Sequence, residues 1–287
     1  MTIEAHAKVN LTLEVYGKRP DGYHALRSLV VPISLADTLD VELTDDGVFT
    51  SDTGYPNDLC LKAVDAFRSR VFRPASSSSG VRIRVTKRIP VGGGLGGGSA
   101  DAAATLRALN ELWRLGKTPE ELAAIGADVG SDVPALVLAQ HYRRTVLMEG
   151  RGETVFLANP PILSLFAPHS NILTFSHSNN PPLHLLLANP GISVSTSEIF
   201  RLCMPRTEPA TGLVNDLQGP ACRRHPEIVR TLEALSAVGA ADVRMSGSGA
   251  TCFGFAPDAA SAARMSEELT RRGLAAWAVR TLDESLV

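Results

Sequence analysis

The stretch Pro90-Val91-Gly92-Gly93-Gly94-Leu95-Gly96-Gly97-Gly98-Ser99-Ala100-Asp101 carries six glycines in seven positions. Glycine loses more backbone freedom on ordering than any other residue, so such a run does not suit a strand or a helix interior. It offers instead backbone N–H groups that a ligand can approach with no Cβ in the way. Residues 81–86 before it alternate apolar and polar like a strand, and residues 102–115 after it place Leu106, Leu109 and Trp113 at helical spacing. Strand, glycine loop and helix N-terminus together bind phosphate, because N–H groups and the positive end of the helix dipole meet the anion. No Gly-Lys-Ser/Thr follows, which excludes a Walker A loop. A dinucleotide fold would want an acid at a strand end about 20 residues on, and there Glu120 and Glu121 read as part of a helix cap.

Other residues have types suited to act beside a phosphate. Residues 3–15 alternate strictly, with Ile3, Ala5, Ala7, Val9, Leu11, Leu13 and Val15 on one face of a half-buried strand. The other face places Lys8 and Asn10 side by side, roughly 7 Å apart. Taken alone this reads as a solvated face, with a catalytic pair as the alternative. Asp132 lies in Gly130-Ser131-Asp132-Val133-Pro134, beside a helix start, since Pro134 fits a first helical turn. Its position alone reads as an N-cap carboxylate, with a general base as the alternative. Pro20-Asp21-Gly22 is a turn signal with Tyr23 and His24 on its exit.

The elements that must position these residues follow from pattern. Strands are expected at 26–33 and 38–44, and a helix capped by Asn57 or Asp58 presents Cys60, Val64, Phe67 and Val71 as one stripe. Ser76 to Ser79 form a low-complexity loop. Thr118-Pro119-Glu120-Glu121 is a capping box, and residues 148–153 read as a hairpin tip. Residues 159–182 show no period. The remainder reads as a strand at 183–187, a helix opened by Ser195-x-x-Glu198, a helix at 226–237, a strand–loop–strand over 242–256, a helix at 257–272 and a strand at 274–281. That order, β-α-α-β-β-α-β, is an α+β layer of helices on a mainly antiparallel sheet.

Composition bounds the function classes. At 287 residues the chain holds one large domain or two modest ones, and 44% hydrophobic with 20% charged residues is ordinary for a globular enzyme. A net charge of −2 argues against nucleic acid as a partner. Cys60, Cys203, Cys222 and Cys252 lie far apart and read as buried small hydrophobes, not a disulfide frame or zinc site. No basic segment followed by an apolar one opens the chain and no apolar run approaches a membrane span, so a cytoplasmic protein without membrane contact is expected.

Taken together, Ala7-Lys8-Val9-Asn10, the glycine loop and Ser246-Gly247-Ser248-Gly249-Ala250 resemble the GHMP kinase superfamily of galactokinase, homoserine kinase and mevalonate kinase. Asp21-Gly22-Tyr23-His24, Ser131-Asp132-Val133-Pro134 and Asn189-Pro190-Gly191 resemble its branch acting on a cytidine diphosphate-linked methylerythritol. The resemblance implies a two-lobed α+β fold. An ATP-binding lobe of ribosomal protein S5 domain 2-like fold would cover 1–158, an insertion or linker 159–182, and a ferredoxin-like lobe 183–287. It implies transfer of the ATP γ-phosphoryl group, with Mg2+, to the 2-hydroxyl of that alcohol, on the non-mevalonate route to isoprenoid precursors. Lys8 and Asp132 would be catalytic, Asp132 as general base. Pro90, Val91, Gly92, Gly93, Gly94, Leu95, Gly96, Gly97, Gly98, Ser99 and Ala100 would cradle the nucleotide, and Asp101 would be a first-turn helix charge. Asn10, Tyr23, His24, Thr196 and Phe200 would bind the alcohol, the aromatics at its cytosine. Such an enzyme would act as a monomer or weak homodimer. The alternatives are a superfamily kinase for mevalonate, homoserine or a sugar, or a non-catalytic nucleotide-binding relative.

Overall fold

The computed structural model describes residues 1–71, 79–158, 182–210 and 212–283. Most of the expected loop at Ser76–Ser79 and nearly all of the expected insertion at 159–182 lie outside the described residues.

The chain opens with two long antiparallel strands, β1 (Thr2–Lys18) and β2 (His24–Thr44). Two strands were expected where β2 is one. The local break at Ser34–Asp37 is bridged because β1 keeps pairing across it, with His6 opposite Ala36 and Ala5 opposite Asp37. The other edge of β2 is shared by two shorter strands. Thr38–Thr44 pairs with β4 (Gly80–Thr86), and Leu26–Val30 pairs with β5 (Val146–Gly150). The short β3 (Phe49–Ser51), which the sequence did not announce, lies parallel to β4, and β6 (Thr154–Leu157) closes the hairpin expected at 148–153.

Among the described residues, four helices belong to this half: α1 (Leu59–Val71), α2 (Gly97–Leu112), α3 (Pro119–Gly126) and α4 (Val133–Tyr142). Asp58, not Asn57, caps α1, its Oδ1 accepting from the N–H groups of Cys60 and Leu61. Cys60, Val64 and Phe67 reach the core as the stripe requires. Thr118 and Glu121 close the expected capping box on α3. The helix expected at 102–115 instead begins at Gly97 and ends at Leu112, so the last two glycines of the run are helical.

The second half contains β7 (His184–Asn189), α5 (Thr196–Leu202), α6 (Gln218–Arg224), α7 (Pro226–Ala237), β8 (Ala241–Met245), β9 (Cys252–Ala256), α8 (Ala259–Arg271) and β10 (Ala275–Arg280). Only α6 was not anticipated. The sheet order is β10-β7-β9-β8, all antiparallel, which is the ferredoxin-like arrangement. Its strands alternate between two cores. Leu185, Leu187, Phe253 and Phe255 continue the core of the first half, whereas Leu186, Ala188 and Cys252 pack among the helices of the second.

β1 joins both cores as well, with Ala5 to Leu11 in the first and Leu13 and Val15 in the second. Its far end is bridged to Asn215 and Arg206 of the second half. This overturns the solvated-face reading of β1. Lys8, Asn10, Thr12 and Glu14 are all buried, Lys8 under the glycine loop and Asn10 and Glu14 against residues of the second half.

Candidate active site

A cavity of about 810 Å³ opens between the lobes, lined by β1, the glycine loop, the starts of α1 and α2, helix α5 and the turn between β8 and β9. The glycine loop is its floor. Gly96 is the N-cap of α2 in a left-handed conformation, φ 70° and ψ 23°, and makes no side-chain cap. The first N–H groups of a helix have no intrahelical partner, so those at the start of α2 are left for a ligand. Gly97, Gly98 and Ser99 all line the cavity there. A Cβ on Gly96 would lie 3.1 Å from the Lys8 Cε, in a φ that L residues rarely adopt. At Gly94, φ +77°, it would strike the carbonyl of Ser246. The loop is thus pressed against the second lobe, where the Ser246 hydroxyl donates to the Gly94 carbonyl at 3.0 Å and the Thr251 N–H to the Gly93 carbonyl at 3.0 Å.

Lys8 connects this floor to the candidate base. Its backbone N–H donates to the Leu95 carbonyl at 3.1 Å, and its ammonium donates to Asn10 Oδ1 at 2.6 Å and the Gly94 carbonyl at 3.1 Å. The third direction faces Asp132 Oδ2 at 3.4 Å. Two hydrogen bonds and one opposite charge are what let a 3% exposed lysine stay in the interior. Asp132 occupies the N-cap position of α4 but makes no side-chain cap bond. Its carboxylate turns to Lys8 and the cavity with 32% of the side chain exposed, so the capping role does not hold.

The expected substrate residues all line the same cavity. Asn10 is 1% exposed and spends its amide internally, accepting from Lys8 and donating to the Ser28 hydroxyl at 2.8 Å. The rings of His24 and Phe200 stand 6.2 Å apart at 27°, and Tyr23 is 59% exposed with the Arg151 guanidinium 5.8 Å from its ring centroid. Thr196 shares a 2.8 Å hydrogen bond with Ser248.

Two cradle residues do not face the cavity. The Leu95 and Ala100 side chains are buried in the core, the first where strand and loop meet and the second in the first turn of α2. Asp101 also departs from expectation. It is no exposed helix-turn charge but is 3% exposed and paired to the Lys87 ammonium at 2.7 Å. Burial pushes its carboxyl up to about 7, against the pull of Lys87. Lys87, Asp101 and Arg151, which line the cavity, were not read from the sequence as site residues. Position in the chain signalled only Lys87, at the end of the strand that feeds the loop.

Residues 58–140 match the GHMP kinases N terminal domain, and residues 211–275 match the GHMP kinases C terminal domain. The chain is 37% identical to the 4-diphosphocytidyl-2-C-methyl-D-erythritol kinase of Brevibacillus brevis, over 88% of this chain and 86% of that one. It is 34% identical to the enzyme of that name from Symbiobacterium thermophilum, over 98% of this chain and all of the relative. Among solved structures, a 4-(cytidine 5'-diphospho)-2C-methyl-D-erythritol kinase superposes with a TM-score of 0.77 at 33% identity, covering 98% of this chain and 99% of that one. A mevalonate kinase superposes with a TM-score of 0.67 over 99% of each chain, and at 13% identity that likeness speaks for the fold alone.

Proposed function

Because the chain belongs to the GHMP kinases, and within them to the 4-diphosphocytidyl-2-C-methyl-D-erythritol kinases, we propose that Lys8, Asp132 and the glycine loop carry its phosphoryl transfer. The enzyme is an ATP-dependent small-molecule kinase. It moves the γ-phosphoryl group of ATP to the 2-hydroxyl of 4-diphosphocytidyl-2-C-methyl-D-erythritol, in the synthesis of isoprenoid precursors. One observation carries the assignment of residues: a buried ammonium that meets both a carbonyl of the phosphate cradle and the carboxylate of Asp132.

In-line phosphoryl transfer is mostly positioning and charge stabilisation. The N–H groups at the start of α2 hold the phosphates of ATP, with Gly96 allowing their approach. Asp132 accepts the proton of the attacking hydroxyl, within reach of a substrate oxygen placed beside Lys8. Lys8 holds the Asp132 carboxylate in place and meets the charge that develops on the transferred group. Asn10 fixes the Lys8 ammonium beside the position of the alcohol. His24, Tyr23, Phe200 and Thr196 take the cytosine, and a non-nucleotide alcohol such as mevalonate or homoserine would have no use for that aromatic group.

Among the described residues no three acidic, histidine or cysteine side chains converge as a metal cage. That suits Mg2+, which is ordinarily held by substrate phosphates with few protein ligands. The Ser99 hydroxyl, in the first turn of α2 at the cavity, would help hold it, and when bound it neutralises phosphate charge. A kinase of this kind would act as a monomer or weak homodimer in the cytoplasm, where ATP is at hand. The lobes divide at 1–158 and 183–287, a boundary supported by the two matched domain ranges.

The test is ADP release with a panel of alcohols. The cytidine-bearing alcohol is expected to be turned over far faster than mevalonate, homoserine or galactose, and a preference for any of those three would overturn the reading.

A further inference from the structure

The β2–β4 ladder ends with Thr38 opposite Thr86, and there the chain leaves the sheet for the glycine loop. The next residues, Arg88 and Ile89, would leave their N–H groups unpaired inside the protein. Asp37 supplies the missing partner. It is fully buried, and its Oδ1 accepts from the N–H of Arg88 at 2.5 Å and of Ile89 at 2.9 Å. Its other oxygen takes the Lys87 ammonium at 2.5 Å, and the same ammonium meets Asp101 of α2 at 2.7 Å on its other side. One lysine is thereby clamped between a carboxylate from the sheet and one from the helix whose N-terminus floors the cavity.

The clamp reaches the site through packing. Lys87 lines the cavity with 23% of its side chain exposed. The Ile89 side chain lies directly under the first residue of α2, so close that a Cβ on Gly97 would be 3.0 Å from it. Asp37 therefore determines both where that ammonium stands and at what height α2 begins. It does not line the cavity.

We propose that Asp37 is a positioning residue for nucleotide binding, holding the Lys87 ammonium and the chain leading into the glycine loop where ATP is seated. This rests on the reading that the glycine loop binds ATP. It separates two ends of one cavity: disturbing Asp37 should weaken the nucleotide and leave the cytidine end alone.

The experiment measures affinity for a non-hydrolysable ATP analogue and for CDP, together with Tm, in the wild type, Asp37→Asn, Asp37→Ala and Asp101→Asn. Asp37→Asn keeps an oxygen for the two N–H groups but removes the charge facing Lys87. It is expected to weaken the ATP analogue about tenfold, and Asp37→Ala about a hundredfold, the range spanned by hydrogen bonds to charged groups. CDP affinity should stay within about twofold throughout, since a charged hydrogen bond is lost only at the nucleotide end. Asp101→Asn, which leaves the backbone acceptors intact, should weaken the analogue less than Asp37→Ala and keeps the test decisive if Asp37→Ala does not fold. Unchanged ATP-analogue affinity in folded Asp37→Asn and Asp101→Asn proteins overturns the proposal. So does an equal loss of both ligands with a fall in Tm, which would mark Asp37 as structural only. A wild type that binds CDP but not the ATP analogue would instead strike the functional reading itself.

Discussion

At the scale of single residues, Lys8 and Asp132 show how burial makes chemistry. A lysine with 3% exposure needs partners for its charge, and those partners fix its ammonium between the Gly94 carbonyl, Asn10 and Asp132. Asp132 is left with an oxygen toward the cavity because its N-cap position carries no cap bond. Asp132→Asn should lower kcat by about 10²–10⁴-fold, the usual contribution of a general base, with KM for ATP unchanged. A variant that keeps more than about half of wild-type kcat would move the base elsewhere. The glycine loop was legible at this scale because positive φ and close backbone approach leave a compositional trace. Asp37 was not, since nothing around Ser34-Leu35-Ala36-Asp37 records a partner 50 positions away.

At the scale of elements, β1 is the one the site depends on, since it carries Lys8 and Asn10 and is held along both edges and faces. His6, two residues before Lys8, lies against α4, where Gln140 donates to its carbonyl at 3.0 Å. Burial lowers the His6 pKa below its ordinary 6.5, with Arg143 and Arg107 acting in the same direction against Glu4. The unfolded chain therefore binds a proton near pH 6.5 that the folded chain resists, so His6 costs stability as pH falls from about 7 toward 5. Denaturant unfolding at pH 7.5 and pH 5.5 should show a smaller acid loss for His6→Gln than for the wild type. Equal losses would mean that the His6 site does not oppose protonation. Amphipathic stripes and capping boxes made most helices readable, because both are written within four residues. The merger of 26–33 and 38–44 into β2 was not, because it is imposed by β1 pairing across the gap.

At the scale of the molecule, the lobes share a core. One face of the second sheet continues the first hydrophobic cluster, and β1 contributes to both clusters. Two separable lobes could melt apart, but lobes that share buried side chains should unfold together. Trp113 at the end of α2 and Trp277 on β10 stand on the two halves, both against the shared cluster. Trp113→Phe and Trp277→Phe proteins, each with one tryptophan left, should give the same denaturant midpoint by fluorescence, and two separate midpoints would show independent lobes. The glycine loop, the α+β order of elements and the residue types that phosphoryl transfer needs were legible in the chain alone. These are local requirements of the backbone and of side-chain chemistry, so they leave a local record. Only the tertiary structure decided that the polar face of β1 is interior, that Asp132 turns away from its helix, and that Asp37 and Asp101 grip Lys87. Each of those depends on which distant surface covers a residue, and burial, unlike periodicity, is a property of the assembled chain.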